Sequence, residues 1–113
     1  PVIHGNFGQL QQVFVNLFVN ASHAMSEKGE LTVMSQLIAD EIEITVSDTG
    51  CGIEQKNIKR LFEPFYTTKK ENEGTGLGLS VSYAIIEKHD ANISVNSTLD
   101  KGTTFTLRFP IPA

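Results

Sequence analysis

Apolar residues between Phe7 and Met25 recur every three or four positions, and this spacing predicts a long amphipathic helix. A helix of this length must bury its apolar stripe against another layer of structure. Two runs of β-type residues, 31–38 and 42–48, follow it, and a short connection separates them. We expect these runs to pair as an antiparallel hairpin and to provide a layer on which the helix packs.

The second half of the chain repeats this order of helix and paired strands. Its patterns predict a short helix over 54–65, a polar surface loop over 66–75, a second long helix over 76–89, and strands over 91–97 and 103–109. Strict alternation of single strands and helices, which marks a doubly wound parallel sheet, is absent. We therefore expect an α+β fold, a two-layer α/β sandwich whose helices cover one face of a mixed, mostly antiparallel sheet.

Composition restricts the class of protein. With 113 residues and a net charge of −4, the chain is predicted to form one domain over 1–113 that binds no nucleic acid. The single cysteine, Cys51, fits a reducing compartment, and no apolar run approaches the length of a membrane span. We expect a cytoplasmic location without direct membrane contact. The chain opens on Pro1 without an initiator methionine, so we expect a piece of a longer protein.

The stretch EGTGLGLS carries three glycines, Gly74, Gly76 and Gly78, at intervals of two residues. The dinucleotide-binding and protein-kinase loops require a further glycine where Leu79 stands. The Walker loop requires a Gly-Lys pair, which occurs nowhere in the chain. The glycines alone leave two interpretations open, a phosphate site of another kind and a mobile turn.

Five polar residues of the first helix fall within an arc of roughly 80° beside the apolar stripe. They are Gln9, Gln12, Asn16, Asn20 and His23. A solvated helix face is the simpler explanation of this pattern. Asparagine is a mediocre helix former, however, and the pair at Asn16 and Asn20 presents two side-chain carbonyls side by side. Mg²⁺ takes oxygen ligands and bridges to substrate phosphates, so one asparagine oxygen fits such a site.

Two further polar residues lie in register with apolar strand faces. Asp48 follows Ile44 and Val46 on one face of its strand, and Thr103 shares a face with Phe105. A turn that opens at Asp48 and a core threonine with an internal partner would explain each residue separately. Taken together, they indicate the polar end of an apolar ligand pocket, in which Asp48 accepts a hydrogen bond from a ligand amino group.

Four motifs in a fixed order resemble those of the GHKL ATPase superfamily, and most closely the catalytic ATP-binding domain (HATPase_c) of sensor histidine kinases. They are QQVFVNLFVNASHAM for the N box, DTGCGI for the first glycine box, LFEPFYTTK for the F box and GTGLGLS for the second glycine box. The closing KGTTFTLRFP is similar to the last strand of the family. The resemblance implies a protein histidine kinase, represented by its catalytic domain, that uses ATP and Mg²⁺.

The resemblance also implies a nucleotide site made of residues that match these motifs. Asn20 would ligate the Mg²⁺ that bridges the ATP phosphates, Asp48 would bind the adenine amino group, and Thr103 would contact adenine directly or through water. The first glycine box would let the backbone approach the base, and the second would hinge a lid over 66–78. The full set is Asn16, Asn20, His23, Asp48, Gly50, Gly52, Ile53, Lys69, Gly74, Thr75, Gly76, Leu77, Gly78, Leu79 and Thr103.

The residue at position 16 bears on the reaction that the resemblance implies. Superfamily members that hydrolyse ATP carry a glutamate where Asn16 stands, and an asparagine cannot accept a proton at neutral pH. The γ-phosphoryl group is therefore expected to be protected from water and passed to another acceptor, which the resemblance implies is a histidine. In the family, the phosphoacceptor histidine is followed by an acidic residue and then by an arginine-proline stretch. Of the three histidines in this chain, only His89 precedes an acidic residue, and the arginine-proline stretch is missing after it. We therefore expect the dimerisation and phosphoacceptor domain to be absent from this chain.

The expected partners are that helical domain of the same full-length protein and the receiver domain of a response regulator. The isolated domain is expected to be a monomer. Two alternatives stay open, a GHKL serine kinase of the anti-sigma-factor type and a module that senses nucleotide without transferring it.

The chain departs from the family pattern in two places. Asn6 replaces the usual aspartate before the first helix, and we expect it to cap the helix about as well. The pair Asp90-Ala91 replaces two glycines before the third strand. A left-handed backbone at Ala91 would cost on the order of 1 kcal/mol, so we expect Asp90 or Asn92 to adopt that conformation.

Overall fold

The computed structural model describes residues 5–25, 28–58 and 78–111, which form helices packed on one face of a four-stranded sheet. The helices are α1 (Phe7–Met25), α2 (Gln55–Ile58) and α3 (Gly78–Lys88). The strands are β1 (Leu31–Ile38), β2 (Glu41–Asp48), β3 (Asn92–Thr98) and β4 (Gly102–Pro110). This arrangement confirms the predicted order of elements and the α+β sandwich.

Most element boundaries agree with the sequence prediction to within two residues. The bounds of α1 and β1 are as predicted, and the described part of α3, from Gly78 to Lys88, lies within the span predicted for that helix. The helix predicted over 54–65 is described as α2, and the rest of that stretch lies outside the described residues. The polar loop predicted over 66–75 also lies outside them. Within the described part of the chain, no helix is long and apolar enough to cross a membrane.

The strand order in the sheet is β1-β2-β4-β3, and each neighbouring pair is antiparallel. The hairpin between β1 and β2 is confirmed, and its turn places Ala39 at φ 52°. The pairing of β2 with β4 brings Asp48 opposite Thr103 and Val46 opposite Phe105. Residues that were predicted to share a face therefore form continuous rows across the sheet.

The core lies between the helices and the inner face of β2, β4 and β3. Every second residue of β4 is buried, and these side chains pack with the apolar stripes of α1 and α3. Complete burial of a side chain such as Leu107 contributes about 1.5–3 kcal/mol. The buried cluster comprises Val13, Leu17, Val46, Ile85, Ile86, Ala91, Phe105, Leu107 and Phe109.

The start of α1 is fixed by two hydrogen bonds. Asn6 Oδ1 accepts the Gln9 N–H at 2.9 Å, which confirms Asn6 as the cap of the helix. The Asn6 N–H donates to His89 Nε2 at 2.9 Å, so the proton of the neutral imidazole lies on Nδ1 and is donated to the Ile85 carbonyl at 2.8 Å. His89 thereby joins the beginning of α1 to the end of α3.

The connection from α3 to β3 also follows the prediction. Asp90 adopts φ 57°, and Ala91, which follows it, is buried in the core. The left-handed conformation thus falls on a residue type that tolerates it, and Ala91 is free to pack as an apolar side chain.

The outer face of the sheet carries one buried carboxylate, Glu43, in the middle of β2. Its register partners on both sides supply donors: Gln36 Nε2 lies 2.9 Å from Oε1, and Arg108 Nε lies 3.0 Å from Oε2. The hydrogen bond from Gln36 and the interaction with Arg108 lower the pKa of Glu43 below its ordinary value of 4.5, although burial acts in the opposite direction. One ionised side chain therefore links β1, β2 and β4.

We expect the stability that depends on Glu43 to be lost in acid. Because the folded state lowers the pKa of Glu43, its contribution is complete above about pH 4.5 and disappears as the pH falls through the folded-state pKa. Urea unfolding of the wild type and of Glu43→Gln between pH 3 and pH 7 measures this, and the difference should shrink below about pH 4.5. Glu41→Gln removes a carboxylate from the same strand as a control. A difference between wild type and Glu43→Gln that is constant across this range would contradict the assignment.

Candidate functional site

Three polar side chains form a row across the inner face of the sheet, next to the apolar core. Asp48 of β2 pairs with Thr103 of β4, and Thr103 pairs with Ser97 of β3. All three are buried, with exposed fractions of 7%, 4% and 4%. In each strand the alternation that points its core residues inward also points the polar residue inward. We call Asp48, Thr103 and Ser97 the polar row.

The first glycine box, residues 48–53, is tied to both ends of the polar row. At one end, Asp48 Oδ1 accepts the Gly50 N–H at 2.8 Å. At the other end, Ser97 Oγ accepts the Ile53 N–H at 2.8 Å. This leaves the second carboxylate oxygen of Asp48 without a role in holding the glycine box. The box therefore runs along the row and is fixed over it by side-chain acceptors.

The glycine box is also tied to the end of α1 and to the turn between β3 and β4. The Cys51 N–H donates to the Ala24 carbonyl at 3.0 Å, and the Cys51 carbonyl accepts the Asp100 N–H at 2.7 Å. Gln55 Nε2 donates to the Ser97 carbonyl at 2.9 Å. These bonds bring the C-terminal end of α1 next to the polar row.

The structure explains why positions 50 and 52 require glycine, and this explanation differs from the one that the resemblance implied. A Cβ at Gly50 would lie 2.6 Å from the Ala24 carbonyl oxygen, and a Cβ at Gly52 would meet the Thr98 carbonyl oxygen. Gly52 also has φ 74°, in the region that favours glycine. Both positions therefore need glycine because protein backbone packs there. Their expected role in admitting a base stays a prediction.

The two long helices run antiparallel, which places Asn20 at the level of the beginning of α3. Asn6 contacts His89 at one end of the pair, and Asn16 Nδ2 donates to Ser82 Oγ at 3.1 Å farther along. Asn20 lies four residues after Asn16 in α1, and Gly78 lies four residues before Ser82 in α3, so each lies about one helical turn beyond that contact. The half-buried Asn20 side chain makes no hydrogen bond to any described residue. Its carbonyl oxygen thus has no donor among the described residues and lies toward the Gly78 end of α3, the end at which a helix dipole is positive.

Asn16 occupies the interface between the two helices. Its Oδ1 accepts a hydrogen bond from Gln12 Nε2 at 2.8 Å, while its Nδ2 donates to Ser82. The amide thus joins two turns of α1 to α3. A side chain held in this way, and without a titratable group, provides no base for activating water.

The other predicted site residues fall into three groups. The His23 side chain is exposed on the α1 face that carries Asn16 and Asn20. The Ile53 N–H donates to Ser97 Oγ, and the Leu79 side chain packs against the buried core, so these two groups are used within the protein. The roles that the resemblance implies for Ile53 and Leu79 stay predictions. Those outside the described residues are Lys69, Gly74, Thr75, Gly76 and Leu77.

Sequence reasoning missed Ser97, which contacts both the glycine box and Thr103. The strand pattern did indicate Ser97, because it follows Ile93 and Val95 on one face of β3. Asp48 follows Ile44 and Val46 on β2 in the same way. Ser82 was missed for a different reason. Ser82 is a polar residue of α3 whose role depends on the packing of the two helices, which brings it to Asn16.

Residues 5–113 match the family described as "Histidine kinase-, DNA gyrase B-, and HSP90-like ATPase". The chain is 45% identical over 112 residues to sporulation kinase E of Bacillus subtilis (strain 168), covering 98% of this chain and 15% of that protein. It is similar in structure to the catalytic domain of histidine kinase ThkA, with a TM-score of 0.83, 31% identity, and coverage of 96% of this chain and 70% of that one.

A second solved structure with a similar fold is full-length ShkA in complex with AMPPNP. The TM-score is 0.85, the identity is 28%, and the match covers all of this chain and 24% of the ShkA chain. The chain thus spans less than a quarter of the length of sporulation kinase E and of ShkA. In both, the matching region is one part of a larger protein.

Proposed function

Because the chain belongs to the family of histidine kinase-, DNA gyrase B- and HSP90-like ATPases, which confirms the resemblance seen in its motifs, we propose that it binds ATP and donates the γ-phosphoryl group to a histidine. The polar row beneath the first glycine box is the observation that carries this proposal. The named kinases that match nearly the whole chain support a histidine acceptor over the serine-kinase alternative. The complex of ShkA with AMPPNP, an ATP analogue, supports the nucleotide class.

Asp48 is suited to bind the adenine amino group. Its Oδ1 is used by the Gly50 N–H, so Oδ2 is the acceptor that a ligand would meet. A carboxylate offers acceptors only, and burial strengthens its interaction with an amino donor. Thr103, directly opposite, offers a second polar atom at the same end of the apolar face. Recognition of an amino-substituted base follows from this chemistry.

The phosphates would lie toward Asn20 and the Gly78 end of α3. The dipole of α3 favours negative charge at that end, and the Asn20 carbonyl supplies an oxygen. Among the described residues, no three His, Cys, Asp or Glu side chains are placed to hold a metal. One amide oxygen together with phosphate oxygens and water fits Mg²⁺, which neutralises phosphate charge when bound. Asn20 is therefore the proposed Mg²⁺ ligand.

The setting of Asn16 favours transfer over hydrolysis. Its amide is held by Gln12 and Ser82 and cannot remove a proton from water. The γ-phosphoryl group would then await another nucleophile, which we assign to a histidine in a dimerisation domain of the longer protein. A receiver domain of a response regulator would accept the phosphoryl group next. We accordingly propose a cytoplasmic location for this domain.

We expect Asp48→Asn to lower the affinity for ATP on the order of 100-fold, as measured by calorimetry. The physical reason is the number of acceptors. An asparagine has one oxygen, which the Gly50 N–H occupies, and its NH₂ group would then face the amino group of the base. Asp40→Asn, in the exposed β1–β2 turn, is the matched control and should bind as the wild type does. Unchanged affinity in Asp48→Asn would remove Asp48 from the site.

The transfer reaction itself is tested by mixing this domain with Mg·ATP and a separately produced phosphoacceptor domain of the same parent protein. We expect acid-labile, alkali-stable phosphohistidine on the acceptor, and none when the domain carries Asp48→Asn. ATP binding without phosphohistidine would contradict the kinase proposal and favour a nucleotide-sensing module. Acid-stable phosphoserine on the acceptor would favour the serine-kinase alternative.

A further inference from the structure

Ser97 is a buried hydroxyl with more contacts than any other side chain of the polar row. Its Oγ accepts the Ile53 N–H at 2.8 Å, lies 2.9 Å from the Gly102 carbonyl oxygen, and lies 2.8 Å from Thr103 Oγ1. It is 4% exposed, so its polar atom must be satisfied within the protein. Ser97 belongs to none of the four motifs, and the proposed nucleotide site does not require it as a direct contact.

Only one arrangement of the hydroxyl protons satisfies all three contacts. The Gly102 carbonyl can only accept, so the single Ser97 proton must be donated to it. The contact between Ser97 and Thr103 then requires the Thr103 proton, which is donated to Ser97 Oγ. Ser97 in this state donates once and accepts twice, which uses its full capacity. Thr103 has no proton left and presents only lone pairs to a ligand.

The consequence concerns the base that the row can recognise. Asp48 and Thr103 lie opposite each other, and both would now face a ligand as acceptors. Two acceptors match the amino group at position 6 of adenine, whereas the carbonyl oxygen at that position in guanine or hypoxanthine would face them without a proton. Leaving a buried polar group unpaired is a strong basis for discrimination.

We propose that Ser97 is a specificity-determining residue, which acts through Thr103 by fixing the Thr103 hydroxyl as an acceptor and so favours 6-amino over 6-oxo purine nucleotides. This inference rests on the proposed nucleotide site. Ser97 itself is a positioning residue, because its hydroxyl bonds to Ile53, Gly102 and Thr103. Its removal would free the Thr103 hydroxyl to rotate and donate its proton to a 6-oxo group.

The test compares the dissociation constants of ATP and inosine triphosphate, measured by calorimetry on the 113-residue chain and its Ser97→Ala variant. We expect the wild type to prefer ATP and the preference to fall about fivefold in Ser97→Ala, the effect of one hydrogen bond. Ser94→Ala, on the exposed outer face of the same strand, should leave the preference unchanged. A purely structural role would weaken both nucleotides equally, and an unchanged ratio would therefore overturn the proposal.

Two further variants separate the contribution of Thr103 from general damage. Ser97→Cys keeps the size of the side chain but weakens its hydrogen bonds, so the preference should fall in the same direction even if Ser97→Ala does not fold. In a Thr103→Val background, Ser97→Ala should not change the ATP preference further, since the hydroxyl that it controls is gone. A further decrease would overturn the proposal. Failure of the wild type to bind ATP would instead contradict the proposed function on which this inference rests.

Discussion

The antiparallel register between β2 and β4 is the constraint on which the rest of the site depends. It sets Val46 opposite Phe105 in the core and, one row farther, Asp48 opposite Thr103. A slip of one residue would turn one strand's core and polar residues to the outer face together. The burial that holds the core in register therefore also holds the two polar groups opposite each other. The site does not need a separate scaffold.

The antiparallel packing of α1 and α3 sets the other end of the site in the same way. His89 joins the two helices at one end, Asn16 and Ser82 join them in the middle, and Asn20 follows beside the Gly78 end of α3. The end of α1 then contacts the glycine box through the Ala24 carbonyl. A base at the polar row and phosphates near Asn20 would thus lie along one path, with the first glycine box beside it.

The sequence predicted the features that depend on local periodicity. Helical spacing predicted α1, and alternation predicted β2 and β4 together with the inward direction of Asp48 and Thr103. The features that depend on long-range packing were not predictable in this way. Ser82, to which Asn16 donates, is 66 residues away in the chain, and the backbone that excludes a side chain at Gly50 belongs to α1. Ser97 was predictable only in part. Its alternation with apolar residues can be read from the sequence, but its contacts with Ile53 and Thr103 cannot.

We propose that a nucleotide binds between the polar row and Asn20. Titration of the ¹⁵N-labelled domain with Mg·AMPPNP, followed by amide chemical shifts, tests it most directly. We expect saturable changes that are largest at Gly50, Thr103 and Asn20, and small changes at the β1–β2 turn around Asp40, at the opposite end of the strands. Largest changes at that turn, with Gly50 and Thr103 unaffected, would contradict the account.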